Sequence, residues 1–228
     1  MTVSELASVI DHTVLAPAAT DRDMAAGCEL ARQFGTASVF VKPHFVIEAQ
    51  RLLAGSTVKV GCPVGFPHGS SLPQVKVDEA EAAINMGAAE IDMVVNIGKV
   101  VSEDWKFVAS DIRGVAEVVH ERAMIVKVIF ETCYLGDLQK IRLCEICEDV
   151  KVDFAKTSTG FGPAGAAAAD IILMAKHLRK VKIKAAGGIR TLGDVNQMLG
   201  LGAARIGTSS TANILKEALQ QKETRAEI

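Results

Sequence analysis

The feature that most constrains the fold of this chain is the alternation of eight short apolar runs with segments of helical periodicity. Strands that alternate with helices form a parallel sheet, because each helix carries the chain back to the edge where the last strand began. An open doubly wound sheet usually has about five or six strands, whereas a TIM (β/α)8 barrel has eight. We therefore predict an α/β TIM (β/α)8 barrel, with strands at 8–13, 37–41, 58–64, 90–95, 125–131, 153–157, 182–187 and 204–209.

Composition supports the same fold. Hydrophobic residues make up 49% of the chain and aromatic residues only 4%, so the core must be built from Ala, Val, Ile and Leu, as in helix-covered parallel sheets. No linker or low-complexity run interrupts the 228 residues, a length that one α/β barrel commonly fills. We expect a single domain over 1–228, with its final helix fraying in the polar segment after Leu219.

Helix-boundary signals predict one helix in each gap between strands. Helices should end at Gly35, Gly55 and Gly87, since glycine readily adopts the left-handed conformation that closes a helix. Short polar side chains can accept hydrogen bonds from the free N–H groups of a first turn. The predicted N-terminal signals are at Ser71, Ser102, Asp137 and Thr191.

Charge and cysteine content restrict the class of ligand and the compartment. A net charge of −2 leaves no basic stripe for nucleic acid, so we expect a small-molecule ligand. No apolar run is long enough to span a membrane, and the N-terminus lacks the pattern of a secretory signal. Five cysteines suit a reducing, cytoplasmic location, and the five histidines are too dispersed to suggest a metal site.

Four charged residues interrupt the apolar strands: Asp92, Lys127, Lys156 and Lys184. A buried charge is costly unless it is paired, so we expect these side chains to share one pocket at the carboxyl ends of the strands. Lys156 lies in a very short strand before a glycine turn, and desolvation there would favour its neutral, nucleophilic form. Two alternatives are an ion-pair cluster that only plugs the barrel, and a Lys156 side chain that extends to solvent.

Loops rich in glycine and hydroxyl residues follow the last three predicted strands. Their exposed N–H groups, near a helix N-terminus, are typical of the phosphate site of this fold. The candidate phosphate-binding residues are Thr159, Gly160, Gly187, Gly188, Ile189, Arg190, Gly207, Ser209 and Ser210. The pattern predicts a phosphorylated substrate beside a lysine nucleophile.

Six motifs spread over most of the chain resemble those of the deoxyribose-phosphate aldolases, class I aldolases that need no metal. They are IDHT (10–13), GFPHG (65–69), EIDMVVN (90–96), KVIFET (127–132), KTSTGF (156–161) and KAAGGIR (184–190). The resemblance implies reversible cleavage of 2-deoxy-D-ribose 5-phosphate to acetaldehyde and D-glyceraldehyde 3-phosphate, in deoxyribonucleotide catabolism. It also implies a homo-oligomer, either a dimer or a tetramer, that uses no cofactor.

The resemblance further implies a role for each charged residue. Lys156 would form the Schiff base, while Asp92 and Lys184 handle protons. Lys184 would also disfavour a second ammonium on Lys156, and Lys127 would keep Asp92 ionised and oriented. Asp11 and Thr13, at the end of the first strand, are candidates to hold sugar hydroxyls.

The sequence departs from the family pattern at Phe40-Val41-Lys42, where many relatives have Cys, Val and Asn. We expect this change to affect the choice of acceptor aldehyde. The chain also ends in Ala226-Glu227-Ile228 rather than in the tyrosine of some members, so we expect proton transfer to be arranged differently. Two alternatives therefore remain: a Schiff-base aldolase for another aldehyde, and a non-catalytic phosphate-binding barrel.

Overall fold

Eight parallel strands close into a barrel in a computed structural model of the chain, which describes residues 1–226 and side chains as far as Lys222. Each strand pairs with the next in sequence, and the first pairs with the last, which confirms the predicted TIM (β/α)8 fold. Glu227 and Ile228, part of the C-terminal departure noted above, lie outside the described residues. The strands are β1 (Ile10–Val14), β2 (Ser38–Val41), β3 (Lys59–Val64), β4 (Glu90–Val94), β5 (Ile125–Ile129), β6 (Phe154–Lys156), β7 (Lys182–Ala186) and β8 (Arg205–Thr208).

Helices cover the outside of the barrel, but the prediction of one helix per gap is wrong between β4 and β5. Two helices occupy this gap, because Asn96 caps a five-residue helix and Glu103 then turns the chain with a φ of 56°. A further short helix precedes β1. The helices are α1 (Val3–Ala7), α2 (Asp21–Phe34), α3 (Val46–Leu52), α4 (Pro73–Asn85), α5 (Ile97–Val101), α6 (Trp105–Glu121), α7 (Asp137–Val150), α8 (Ala168–His177), α9 (Leu192–Gly200) and α10 (Thr211–Ala226).

The predicted helix caps are confirmed in part. Thr191 and Asp194 form a capping box, and Gly35 closes α2 in the left-handed conformation. The prediction of a cap at Ser71 is wrong, since Pro73 begins α4 and no side chain caps this helix. Asp104 rather than Ser102 caps α6, because its carboxylate accepts the N–H of Phe107. Asp137 is the first residue of α7 rather than its cap, which is Gly136.

Side chains alternate along the strands between the barrel interior and the helical layer. Ile91 and Met93 in β4, with Val126 and Val128 in β5, belong to the hydrophobic core that packs against the helices. The opposite face of the strands carries the charged side chains. The strand register places Asp92 beside Lys127 and Lys156 beside Lys184, so two adjacent pairs of charged residues extend into the barrel interior.

A buried ion pair joins two of the outer helices. The Lys76 ammonium on α4 lies 2.6 Å from Asp111 Oδ2 on α6 and donates a second hydrogen bond of 2.9 Å to the Val94 carbonyl. Both side chains are almost fully buried. Loss of one partner would leave the other without compensation in an apolar environment, which is more costly than loss of both.

We predict that Lys76→Met lowers the free energy of unfolding by about 3–5 kcal/mol, because Asp111 is then buried without a cation. The double variant Lys76→Met/Asp111→Leu should recover most of this loss. Urea unfolding at a fixed protein concentration would measure both values. A double variant less stable than the single one would contradict the assignment of the pair.

Candidate active site

Three lysines converge on the carboxylate of Asp92 at the centre of the barrel. Lys127 Nζ lies 3.0 Å from Asp92 Oδ1, while Lys156 Nζ and Lys184 Nζ lie 2.8 Å and 2.7 Å from Oδ2. Each comes from a different strand, β4 to β7, and all four side chains are at most 2% exposed. The structure thus brings together the four charged residues singled out in the strands, and Lys156 does not extend to bulk solvent.

A second layer of charges lies deeper in the barrel. Asp11 Oδ2 lies 2.6 Å from Lys184 Nζ, and Asp11 Oδ1 lies 2.6 Å from Arg205 Nη1. Glu90 forms ion pairs with Lys127 and Arg205. Asp11, a candidate ligand for sugar hydroxyls, is therefore fully buried beneath the cavity with its oxygens engaged by cations. Lys127 joins the two layers, because it forms ion pairs with both Asp92 and Glu90.

Sequence reasoning missed Glu90 and Arg205, although both carried a usable signal. Glu90 precedes Asp92 by two residues in the same strand, so it has the same inward direction. Arg205 opens the last apolar run. The cluster then contains four cations, Lys127, Lys156, Lys184 and Arg205, and three carboxylates, from Asp11, Glu90 and Asp92. It is electrically neutral when one lysine is uncharged.

Burial and neighbouring charges set the protonation of the two central groups. Burial raises the pKa of Asp92, but the ammonium groups of Lys127, Lys156 and Lys184 outweigh this and hold the pKa well below its usual range. Burial lowers the pKa of Lys156 to about 8; Asp92 opposes this shift and Lys184 adds to it. About one Lys156 in ten is then neutral at pH 7, against about one in two thousand for an ordinary lysine. Lys156 is therefore suited to attack a carbonyl.

A cavity of about 580 Å³ opens above this cluster at the carboxyl ends of the strands. Lys156 belongs to its wall, as does Thr13 near the end of β1. The rest of the wall is formed mainly by the loops that follow β1, β6, β7 and β8. These loops include every candidate phosphate-binding residue: Thr159, Gly160, Gly187, Gly188, Ile189, Arg190, Gly207, Ser209 and Ser210.

Two local features shape these loops. Gly187 has a φ of 86°, and a Cβ at this position would lie 2.9 Å from the Cα of Gly165, so only glycine fits here. Glu131, a non-glycine residue with a φ of 56°, turns its buried carboxylate to the N–H and hydroxyl groups of Thr159. Glu131 therefore positions the loop after β6. Sequence reasoning gave it no role beyond its place in the KVIFET motif.

The residues that depart from the family pattern do not lie on the cavity wall. Phe40 is fully buried in the barrel interior, with its ring near the lysines. Lys42 Nζ donates to the carbonyls of Pro17 and Ala19 and so fastens the loop between β1 and α2. Both residues can affect the site through the groups that they hold, rather than by touching a substrate.

His12 packs and hydrogen-bonds at the barrel, as expected for a histidine in this position. Its Nδ1 lies 2.9 Å from the hydroxyl of Thr211, and burial lowers its pKa to about 4. Among the side chains described, as far as Lys222, no three from His, Cys, Asp or Glu are grouped to hold a metal ion.

Comparison with known proteins identifies the family of the chain. Residues 6–217 match the model of a family described as DeoC/LacD family aldolase. The chain belongs to this aldolase family. The deoxyribose-phosphate aldolase of Rhodopirellula baltica is 44% identical over 218 residues, 95% of this chain and 90% of that protein. That of Thermococcus kodakarensis is 44% identical over 221 residues, 96% of this chain and 99% of that protein.

Solved structures of aldolases have the same fold. The deoxyribose phosphate aldolase from Aeropyrum pernix, described as a tetramer, has a TM-score of 0.90 at 29% identity and covers 96% of this chain and 93% of its own. An aldolase called QR15 also has a TM-score of 0.90, at 34% identity, with 96% of this chain and 97% of its own covered. The resemblance of the sequence motifs is thus confirmed, and the protein is an enzyme of the aldolase class.

None of the helices within residues 1–226 of this aldolase is long and apolar enough to cross a membrane.

We predict that Lys156 titrates near pH 8 in the folded enzyme, about two units below an ordinary lysine, because burial and Lys184 disfavour its ammonium form. Competitive labelling with trace acetic anhydride across a pH series, followed by peptide mass spectrometry, would measure this. The unfolded chain is the internal reference, and its Lys156 peptide should titrate near the ordinary value of ~10.4. Equal titration of the folded and unfolded chains would refute the assignment.

Proposed function

We propose that this aldolase reversibly cleaves 2-deoxy-D-ribose 5-phosphate to acetaldehyde and D-glyceraldehyde 3-phosphate through a Schiff base on Lys156, in deoxyribonucleotide catabolism. The observation that carries the proposal is the position of Lys156: a lysine with a lowered pKa on the wall of a cavity rimmed by anion-binding loops. The names of the relatives support the choice of substrate.

The chemistry follows from a neutral amine at this position. Lys156 Nζ attacks the aldehyde carbon, and loss of water gives an iminium ion. The iminium withdraws the electrons of the bond between sugar carbons two and three, while the hydroxyl on carbon three gives up its proton. D-Glyceraldehyde 3-phosphate leaves, and the remaining enamine takes a proton at carbon two. Water then hydrolyses the acetaldehyde iminium and restores the free lysine.

Asp92 and Lys184 are the proton-handling groups in this proposal. Asp92 is ionised and can accept a proton, whereas the Lys184 ammonium, 2.7 Å away, can supply one. Both side chains are fully buried, and Asp92 Oδ2 lies 2.8 Å from Lys156 Nζ. In this proposal a water that enters with the substrate carries the proton between these groups and the sugar.

The loops after β7 and β8 are the proposed phosphate site. Gly188 and Ser209 offer backbone N–H groups, and Ser209 and Ser210 add hydroxyls. Helix α10 begins at Thr211, immediately after this loop, so the positive end of its dipole faces the same region. Thr13, on the neighbouring strand β1, is the proposed contact for a sugar hydroxyl.

We further propose that the enzyme is a cytoplasmic homo-oligomer, a dimer or a tetramer, with no nucleic-acid or membrane partner. The relative from Aeropyrum pernix, described as tetrameric, supports the oligomer. The net charge of −2 argues against a nucleic-acid surface.

Covalent trapping tests whether Lys156 is the residue that forms the Schiff base. With acetaldehyde and borohydride, we predict an ethyl group on Lys156, because reduction of the iminium makes the bond permanent. Lys156→Leu should abolish the label and lower kcat/KM for cleavage at least about a thousandfold. Lys176→Leu, at an exposed lysine of α8, is the matched control and should retain both. Labelling of another lysine would reassign the nucleophile.

We predict that Ser209→Asp selectively impairs the phosphorylated substrate, because like charges a few ångströms apart near a protein surface repel by about 4 kcal/mol before screening. The measurement is the ratio of kcat/KM for 2-deoxyribose 5-phosphate to that for unphosphorylated 2-deoxyribose. This ratio should fall at least about tenfold in Ser209→Asp and little in the neutral control Ser209→Asn. An unchanged ratio would place the phosphate elsewhere.

A further inference from the structure

Phe40 is the aromatic side chain at the centre of the lysine cluster, and the proposed mechanism gives it no role. It projects from β2 into the barrel and is fully buried. The ring centroid lies 3.9 Å from Lys184 Nζ and 4.4 Å from Lys127 Nζ, but 5.8 Å from Lys156 Nζ. The ring is therefore closer to two of the ammonium groups than to the nucleophile.

The neighbouring strand is adapted to hold this ring in place. Phe40 pairs in register with Gly61 of β3. A Cβ on Gly61 would lie between 2.4 and 2.6 Å from three carbons of the ring edge. Only glycine leaves room for the ring to extend over the adjacent strand, so the position of the ring is set by the pair Phe40 and Gly61.

The carboxylate of Asp92 does not by itself decide which lysine is neutral. Lys156 and Lys184 contact the same oxygen at nearly equal distances, 2.8 Å and 2.7 Å. Lys127 is held as a cation by Asp92, Asp11 and Glu90, which raise its pKa against the effect of burial. The cluster becomes electrically neutral when either Lys156 or Lys184 is uncharged, so another contact must distinguish them.

Asp11 and Phe40 both distinguish the two lysines in the same direction. Asp11 Oδ2 lies 2.6 Å from Lys184 Nζ, although Arg205 shares this carboxylate. The Phe40 ring lies nearly 2 Å closer to Lys184 than to Lys156. A cation over an aromatic face is stabilised most when it is close and desolvated, by about 0.5–2 kcal/mol.

We propose that Phe40 is a positioning residue that keeps the ammonium on Lys184 and thereby leaves Lys156 as the neutral amine. The ring acts through Lys184 and touches no substrate. The ring favours an ammonium on Lys184 and an amine on Lys156 by about two- to thirtyfold, which corresponds to the range of cation–π energies from exposed to desolvated sites. This inference rests on the proposed Schiff base at Lys156.

Fluorinated phenylalanines at position 40 would test the proposal without removal of the ring. Successive fluorine atoms weaken the negative potential of the ring face while the ring keeps almost the same volume. The readout is the Nζ chemical shift of Lys156 and Lys184 near pH 8, which distinguishes an amine from an ammonium. We expect the two signals to move in opposite directions, Lys184 towards the amine and Lys156 towards the ammonium. kcat/KM should fall in step, by about two- to thirtyfold at full fluorination.

Two further variants complete the design. Fluorination of Phe107, whose ring lies 4.8 Å from Lys99 outside the barrel, is the matched control and should change neither signal. Gly61→Ala, which pushes the ring away, should shift the signals in the same direction as fluorination of Phe40. Signals and kcat/KM that stay constant across the Phe40 series would overturn the proposal, as would signals that move together.

Borohydride trapping in each variant separates this inference from the proposed function. If the unmodified enzyme is not labelled at Lys156, the Schiff-base function itself fails. If labelling occurs at Lys156 but the fluorinated series leaves both lysine signals unchanged, the function stands and the role of Phe40 fails.

Discussion

The ion cluster around Asp92 is the interaction on which the rest of the structure depends. A lone carboxylate in a barrel interior would be too costly to bury, and so would any of the three lysines that surround it. With Arg205 and the carboxylates of Asp11 and Glu90 they form a nearly neutral cluster, with one cation in excess. Burial, together with this excess, disfavours a charge on Lys156 at the edge of the cavity. The ion pairing that allows these charges to be buried thus also produces a reactive amine.

Because the barrel interior is charged, the apolar core must lie elsewhere in the molecule. In this barrel the hydrophobic core lies between the strands and the helices, where residues such as Ile91, Met93 and Val128 are buried. The two faces of the strands therefore differ: side chains towards the helices are apolar, and the charged side chains point into the barrel. Buried ion clusters contribute little net stability, so the apolar outer layer supplies most of it, while the pairing within the cluster is what allows the charged interior to be buried.

Local sequence patterns predicted the fold better than they predicted helix ends or the full site. Eight apolar runs sufficed for the barrel, because strand period and helix period differ clearly over several residues. Ser102 failed as a helix cap because a short helix and a turn at Glu103 precede α6. Glu90, Arg205 and Phe40 were missed as members of the cluster because their partners lie on other strands. Asp11 was placed too near the substrate, since the depth of a side chain depends on strand stagger.

The sequence by itself determined the order of strands and helices, the inward direction of Lys156, and the glycine-rich loops at the carboxyl ends. These features follow from local periodicity and from backbone conformations that only certain residues adopt. Only the tertiary structure decided which charges meet. Closure of β8 onto β1 brings Arg205 to Asp11, and the register of β6 with β7 sets Lys156 beside Lys184. Contacts between residues far apart in the chain depend on register and closure, which no single segment encodes.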